Sequence, residues 1–273
     1  MDRGAMAAGA ARVAARFSMA GRRALITGAS LSIGRAIALA FADAGAALAL
    51  QHAGAADAGL GHPHAAPETA ALLAERGASY KFIESDFAEP GAGRRCFAAA
   101  EAALGGVDIL VLAASVQKRT PLEAVDEVER DWQRRINFDA PVELLQAAVP
   151  GMRARGWGRI LTIGSVNQTR PDAELAVYAA LKSAQHNLAI NLARQLAPAG
   201  ITVNNLSPGL VATARNQWRR KDADQWGAIQ RAANPMGRAG SPEEMAGAAL
   251  LLCSEAGSFI TGADLQATGG GHL

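Results

Sequence analysis

Cysteine is nearly absent: the chain has two in 273 residues, Cys96 and Cys253. They lie far apart in helical patterns, with no CxxC and no histidine nearby, so neither a disulfide framework nor a zinc site is expected of them. They read as core thiols of a reducing compartment. No apolar run approaches ~20 residues without a charge or a helix breaker, so no membrane span is expected. A nucleic-acid type of basic block is also missing. The densest is Arg219-Arg220-Lys221, closed at once by Asp222, and charges elsewhere alternate in sign. The 29 glycines show no three-residue period, which excludes a collagen-like chain. What is present is apolar. Half of the residues are hydrophobic and the net charge is only +2. That excludes disorder of the whole chain and supplies enough apolar surface for a large core without covalent staples.

Residues 1–20 are rich in Ala and Arg, with almost no acid and no apolar signal core. A frayed, disordered extension is expected there rather than a targeting segment, and Met19 is a candidate start. A single domain is expected over 21–273, in the cytoplasm. Within it, short apolar runs alternate with helical periodicity. Strand-like runs are Ala24–Thr27, Ala46–Gln51, Tyr80–Glu84, Val107–Leu112, Arg159–Ile163, Ile201–Leu206 and Ala263–Ala267. Helical stretches fall at Ile33–Ala44, Pro67–Arg76, Gly93–Leu104, Asp126–Arg153, Leu175–Leu196 and Pro242–Ser254. Short, mainly apolar runs separated by helices predict an α/β fold: a doubly wound parallel sheet of about seven strands with helices on both faces. Residues 53–66 read as a surface loop. His52, His62 and His64 lie in and beside it without a nearby set of other ligands, and no metal is expected.

Two segments carry chemistry. The first strand runs into Thr27-Gly28-Ala29-Ser30-Leu31-Ser32-Ile33-Gly34-Arg35. A strand, a glycine turn and a helix start place backbone N–H groups and the positive helix end where a phosphate can sit. Further on, Tyr178 and Lys182 stand four residues apart on one helix face. A fixed ammonium beside a phenol favours the phenolate, which makes such a pair a proton shuttle. Ser165 ends a strand thirteen residues earlier, where a hydroxyl can hold a carbonyl oxygen.

These stretches resemble the short-chain dehydrogenase/reductase family of Rossmann-fold, NAD- or NADP-dependent oxidoreductases. The glycine loop resembles TGxxxGxG, with Ser32 in place of the middle glycine. Asn137, Ser165, Tyr178 and Lys182 match the family's catalytic tetrad, in which Asn supports Lys through water. Ser207-Pro208-Gly209 with Thr213 resembles PGxxxT. The resemblance implies cofactor contacts from Gly28, Ser30, Ser32, Ile33, Gly34, His52, Asp86, Phe87, Ala114, Tyr178, Lys182, Pro208, Gly209, Val211 and Thr213. Lys182 is expected to hold the ribose hydroxyls. Where the family often reads NNAG, this chain reads Leu112-Ala113-Ala114-Ser115, so the Asn that bridges the central strands is missing.

NAD or NADP is the expected cofactor. The end of the second strand, Leu50-Gln51-His52-Ala53, carries no acid, which leans the choice to NADP. The implied reaction moves a hydride between the nicotinamide and a small carbonyl or secondary alcohol substrate. A 3-oxoacyl thioester reductase and a non-catalytic nucleotide-binding sensor or scaffold are the alternatives. Lys118, Arg119, Arg170, Arg215, Arg219, Arg220 and Lys221 outnumber Asp172, Asp222 and Asp224 in the segments expected around the substrate. A positive mouth for an acidic substrate competes there with a solvated, charged lid, packed by Trp218 and Trp226. A homodimer or homotetramer joined by the two long helices is expected from the resemblance.

Overall fold

The computed structural model describes residues 3–273, with side chains from residue 8 onward; Met1 and Asp2 of the expected extension lie outside it. Among the described residues seven strands form one parallel sheet, β1 (Arg23–Ile26), β2 (Ala47–His52), β3 (Tyr80–Glu84), β4 (Ile109–Leu112), β5 (Gly158–Ile163), β6 (Ile201–Pro208) and β7 (Asp264–Ala267). Their spatial order is β3-β2-β1-β4-β5-β6-β7. The central strands β4, β5 and β6 are buried along their whole length, as charge-poor parallel strands covered on both faces must be. Charges are tolerated at the bottom edge of the sheet, where Arg159 of β5 is also buried. Asp108, just before β4, takes both Nε (2.8 Å) and Nη2 (2.7 Å) of Arg23.

The helices divide between the two faces. α2 (Ser32–Asp43) and α10 (Pro242–Cys253) pack together on one face, around Ile26, Ile37, Phe41, Leu48 and Leu252. α5 (Ala92–Leu104), α7 (Ala140–Arg155) and α8 (Ala176–Leu196) cover the other, around Leu25, Phe97, Leu110, Leu144 and Val203. Local chemistry sets several ends. Ser241 and Glu244 form a capping box at α10, with Pro242 in its first turn. Asp126 accepts from Glu129 N at 2.7 Å and starts α6 (Glu127–Arg134). Cys96 and Cys253 are both buried, and burial pushes both thiols up to about 12.

Four expectations need amendment. Residues Arg3–Phe17, expected as a frayed extension, form helix α1, whose Arg16 donates to the Glu255 carbonyl at 3.0 Å; Ala and Arg are strong helix formers. Met19 beyond it is buried in the core. The expected surface loop 53–66 contains a short helix, α3 (Gly54–Gly59), and leads into α4 (Ala65–Glu75), burying Asp57, Ala65 and Ala66. The single helix expected over Asp126–Arg153 is α6 and α7 joined through a π-helical turn, Arg135–Asp139. The segment carrying the basic cluster is a 3₁₀ stretch, Ala214–Arg220, followed by α9 (Ala223–Ala233). Trp218, expected to pack that lid, is 59% exposed. No helix among the described residues is long and apolar enough to cross a membrane.

Candidate active site

The strand order reverses between β1 and β4, and a ligand crevice belongs outside the carboxyl ends of the strands at that point. A cleft of about 810 Å³ lies there. Its walls include the glycine loop, the ends of β2 and β3 with Asp86 and Phe87, Ala113–Ser115, Ser165, Tyr178, Pro208–Val211 and Thr213.

The glycine loop is shaped by contact with neighbouring backbone. Gly28 has φ +63°, and a Cβ there would meet Ala114 Cα at 2.9 Å. A Cβ on Gly34 would sit 2.0 Å from the Gly28 carbonyl oxygen. Ser32 departs from the family pattern and still adopts the glycine-like conformation, φ +51°. Its Oγ accepts from Ala214 N at 3.1 Å, tying the loop to the 3₁₀ stretch on the far wall. That bond uses one lone pair of the hydroxyl and leaves its O–H free to donate. No side chain caps the start of α2, and no acid stands in its first turn. Those N–H groups therefore fit the phosphates of a dinucleotide, which the two glycines leave room to approach.

Two residues that the sequence reading passed over hold this loop in place. Gln51 accepts from Gly28 N at 2.8 Å and donates to Ser85 O at 2.7 Å, pinning the turn to the ends of β2 and β3. The missing Asn of the Leu112–Ser115 segment is answered by Thr27. Its Oγ1 accepts from Ala113 N (2.9 Å) and Ala114 N (3.0 Å), bridging β1 to β4. A polar side chain on a strand that otherwise reads as continuously apolar is the only signal for either.

The tetrad residues are brought together, but not in one layer. Ser165 and Tyr178 open onto the cleft. Ser165 Oγ exchanges hydrogen bonds with Asn167, donating to its Oδ1 (3.1 Å) and accepting from its N (3.2 Å). Lys182 lies beneath, fully buried, and does not line the cleft. Its Nζ is 6.0 Å from the Tyr178 ring centroid and donates to Ile163 O (2.8 Å) and Gln185 Oε1 (3.1 Å). The ammonium thus meets the phenol through space. Asn137 sits in the π turn, with Nδ2 donating to Val116 O (2.8 Å) and Gln133 O (2.9 Å) and Oδ1 accepting from Val116 N (3.1 Å). Such single π turns concentrate at functional sites. This one fastens the segment after β4 to the helix pair.

Burial, and then the positive charge of Arg215, pull Lys182 down to about 7. The folded value lies below the ordinary 10.5, so the native protein binds fewer protons than the unfolded chain between these limits. The burial cost is full below about pH 7, shrinks as pH rises and vanishes above 10.5. Urea midpoints of nucleotide-free protein should therefore rise from pH 7 to 9 by more than those of Lys182→Met, which should be the more stable of the two at pH 7. Equal slopes for the two proteins would refute the assignment.

At the adenosine end the structure corrects the sequence reading. His52, expected to face the cofactor, lies behind the wall, edge-on to Phe82 with ring centroids 5.5 Å apart. An acid is supplied after all, by α3: Asp57 lines the cleft with Ser30, Gln51 and Ala53. Its Oδ2 stands 3.9 Å from His52 Nδ1, and neither atom has a hydrogen-bond partner among the described residues. Burial raises the Asp57 carboxyl, while Ser30, His52, Arg35 and His62 pull it down.

An open parallel sheet with an uncapped helix start, a glycine cradle and a Ser–Tyr pair over a buried lysine defines a dinucleotide-dependent oxidoreductase. Residues 28–272 match the family model described as Enoyl-(Acyl carrier protein) reductase. The chain belongs to the short-chain dehydrogenase/reductase family. It is 34% identical over 256 residues to gluconate 5-dehydrogenase of Gluconobacter oxydans, covering 93% of this chain and 96% of the relative. It is 33% identical over 253 residues to the 3-oxoacyl-[acyl-carrier-protein] reductase FabG of Escherichia coli, covering 93% and 98%. A solved 3-oxoacyl (acyl-carrier-protein) reductase of Agrobacterium tumefaciens C58, with NADP bound, superposes with a TM-score of 0.89 at 42% identity, covering 96% and 98%.

Proposed function

We propose that the chain is an NADP-preferring carbonyl reductase and alcohol dehydrogenase whose substrate is a small molecule with an anionic group. The observation that carries the reading is the placement of the Ser165 and Tyr178 hydroxyls in the same cleft as the glycine loop. NADP, when bound, supplies or takes up the hydride at the substrate carbon. The protein's own groups do the rest. The α2 N-terminus, Gly28 and Gly34 hold the phosphates; Pro208, Gly209, Val211 and Thr213 form the wall for the nicotinamide half. Ser165 Oγ and Tyr178 Oη hydrogen-bond the substrate oxygen, and Tyr178 donates its proton to it during reduction and takes it back during oxidation. Lys182 favours the phenolate from beneath, and Asn137 holds the segment after β4 through Val116.

The preference for NADP is supported by the NADP held in the Agrobacterium tumefaciens relative. Asp57 works against it, as a carboxylate beside the site of a 2′-phosphate. The test is oxidation of NADPH and NADH, followed by absorbance, over a panel of ketones. Turnover with NADPH preferred supports the reading. Binding of nucleotide with no turnover of any ketone contradicts it and leaves a sensor. In the same assay Asp57→Asn should raise the NADPH-over-NADH ratio of kcat/KM about ten-fold, by removing a like charge. An unchanged ratio would mean that Asp57 does not meet the ribose end.

We further place the protein in the cytoplasm as a homodimer or homotetramer, with 21–273 as the catalytic domain. Ile190 on α8, Phe259 and the edge-strand residue Leu265 are exposed apolar side chains that assembly would cover. Sedimentation at micromolar concentration distinguishes the states.

A further inference from the structure

Four arginines reach the cleft: Arg119, Arg170, Arg215 and Arg219. Two are committed to the protein. Arg119 is paired with Asp172 (2.9 Å) and Glu174 (2.7 Å). Arg170 is spent on the carbonyls of Ala232 (3.2 Å), Ala233 (2.6 Å) and Gly271 (3.1 Å). Arg219 turns to the exposed Trp218, 5.4 Å from its ring centroid. Arg215 is different. It is half-buried where Arg170 is exposed, and like Arg170 and Arg219 it has no carboxylate within 4 Å among the described residues. Neutral acceptors of the segment after β4 fix it instead: Ser115 O (2.6 Å), Ser115 Oγ (3.0 Å) and, more weakly, Gln117 Oε1 (3.5 Å).

A guanidinium has five donors, and here Nε and one Nη1 hydrogen meet no acceptor of the described protein. Partial burial of an uncompensated cation costs free energy, and a planar anion with two oxygens would offset it. The positive charge lies close enough to the reacting end to be felt at Lys182. Ser115 is also a departure from the family pattern, standing at the last position of the Leu112–Ser115 segment. Its hydroxyl and its carbonyl both orient this one guanidinium, so the departure and the unpaired arginine are a single feature of the fold.

We propose that Arg215, aimed by Ser115, is the specificity-determining residue of the cleft and binds a free carboxylate of the substrate. The substrate class is then an oxo-acid and its hydroxy-acid, rather than a thioester whose acyl group is neutral. The inference rests on the reading of the cleft as a carbonyl reductase site. It adds to that reading which group of the substrate is recognised, and by what.

The test pairs molecules that differ only in this charge: acetoacetate, levulinate and 5-oxohexanoate against their methyl esters, with dihydroxyacetone phosphate as the phosphate arm. The wild-type protein should prefer at least one acid over its ester in kcat/KM. In Arg215→Gln that preference should fall at least ten-fold, mainly through KM, as expected for a hydrogen-bonded ion pair that holds substrate and transition state alike. Arg215→Lys should recover part of it, and Ser115→Gly should lose part of it. An acid-over-ester ratio that is the same in Arg215→Gln as in the wild type overturns the proposal, as does a higher kcat/KM for the phosphate than for every oxo-acid. Calorimetric titration of the NADP⁺ complex with the same acids needs no turnover. Binding there that depends on Arg215, in a protein that reduces no carbonyl, would keep the carboxylate site and remove the reductase reading. Ester reduction without a role for Arg215 would do the reverse.

Discussion

Tyr178→Phe should abolish most turnover, lowering kcat about 10²–10⁴-fold while leaving NADPH binding within a few-fold of wild type. The magnitude follows from what one oxygen atom does. A positioned proton donor contributes about 10²–10⁴ in rate, and Phe keeps the ring that lines the cleft. Ser165 still offers one hydrogen bond to the substrate oxygen, so residual activity belongs to that group. The loss should fall on kcat rather than on nucleotide affinity, because the phosphates are held by the glycine loop across the cleft. Stopped-flow NADPH oxidation and equilibrium fluorescence titration separate the two. A variant that turns over within ten-fold of wild type would remove Tyr178 from the chemistry.

Gly34→Ala should be the most damaging single methyl in the nucleotide site. Its Cβ would stand 2.0 Å from Gly28 O and 2.7 Å from Gly28 C, against backbone rather than a side chain that can swing away. Either α2 moves off β1 or the turn at Gly28 opens, and each moves N–H groups away from the phosphates. Gly28 cannot yield easily, since its own place is set by Gln51 Oε1 and by Ala114. NADPH affinity should fall at least 100-fold, about 3 kcal/mol, with a lowered Tm because α2 carries Ile37 and Phe41 into the core. Unchanged affinity in a folded variant would show that the helix start does not hold the dinucleotide.

The parallel sheet was legible because each inner strand is a short, mainly apolar run, with charge confined to its first residues, and burial on both faces explains such runs. The glycine loop and the Ser–Tyr–Lys spacing were legible because they are local: a turn needs φ > 0, and an i,i+4 pair shares a helix face. What the sequence reading missed was not local. Arg119, Arg170 and Arg215 look alike along the chain, and only the fold shows that Arg119 is paired with two carboxylates, that Arg170 is exposed and bonded to carbonyls, and that Arg215 is half-buried against Ser115. Asp57 was hidden because an alanine-rich stretch read as loop, and a helix of six residues returns it to the cleft. The π turn around Asn137 leaves no mark on apolar periodicity. Lys182 was expected at the ribose, yet its depth below the cleft depends on how α8 crosses β5, where Ile163 O takes its ammonium.

The most direct test follows the transferred atom. The wild-type protein is incubated with NADPH deuterated at the reactive face of C4 and with a ketone that it reduces, and the product is analysed by NMR and mass spectrometry. The account predicts one deuterium on the carbinol carbon, none from solvent at that position, and in Tyr178→Phe the same label at a greatly reduced rate. Alcohol formed without deuterium on that carbon, or nucleotide bound tightly with every ketone returned unchanged, would contradict it.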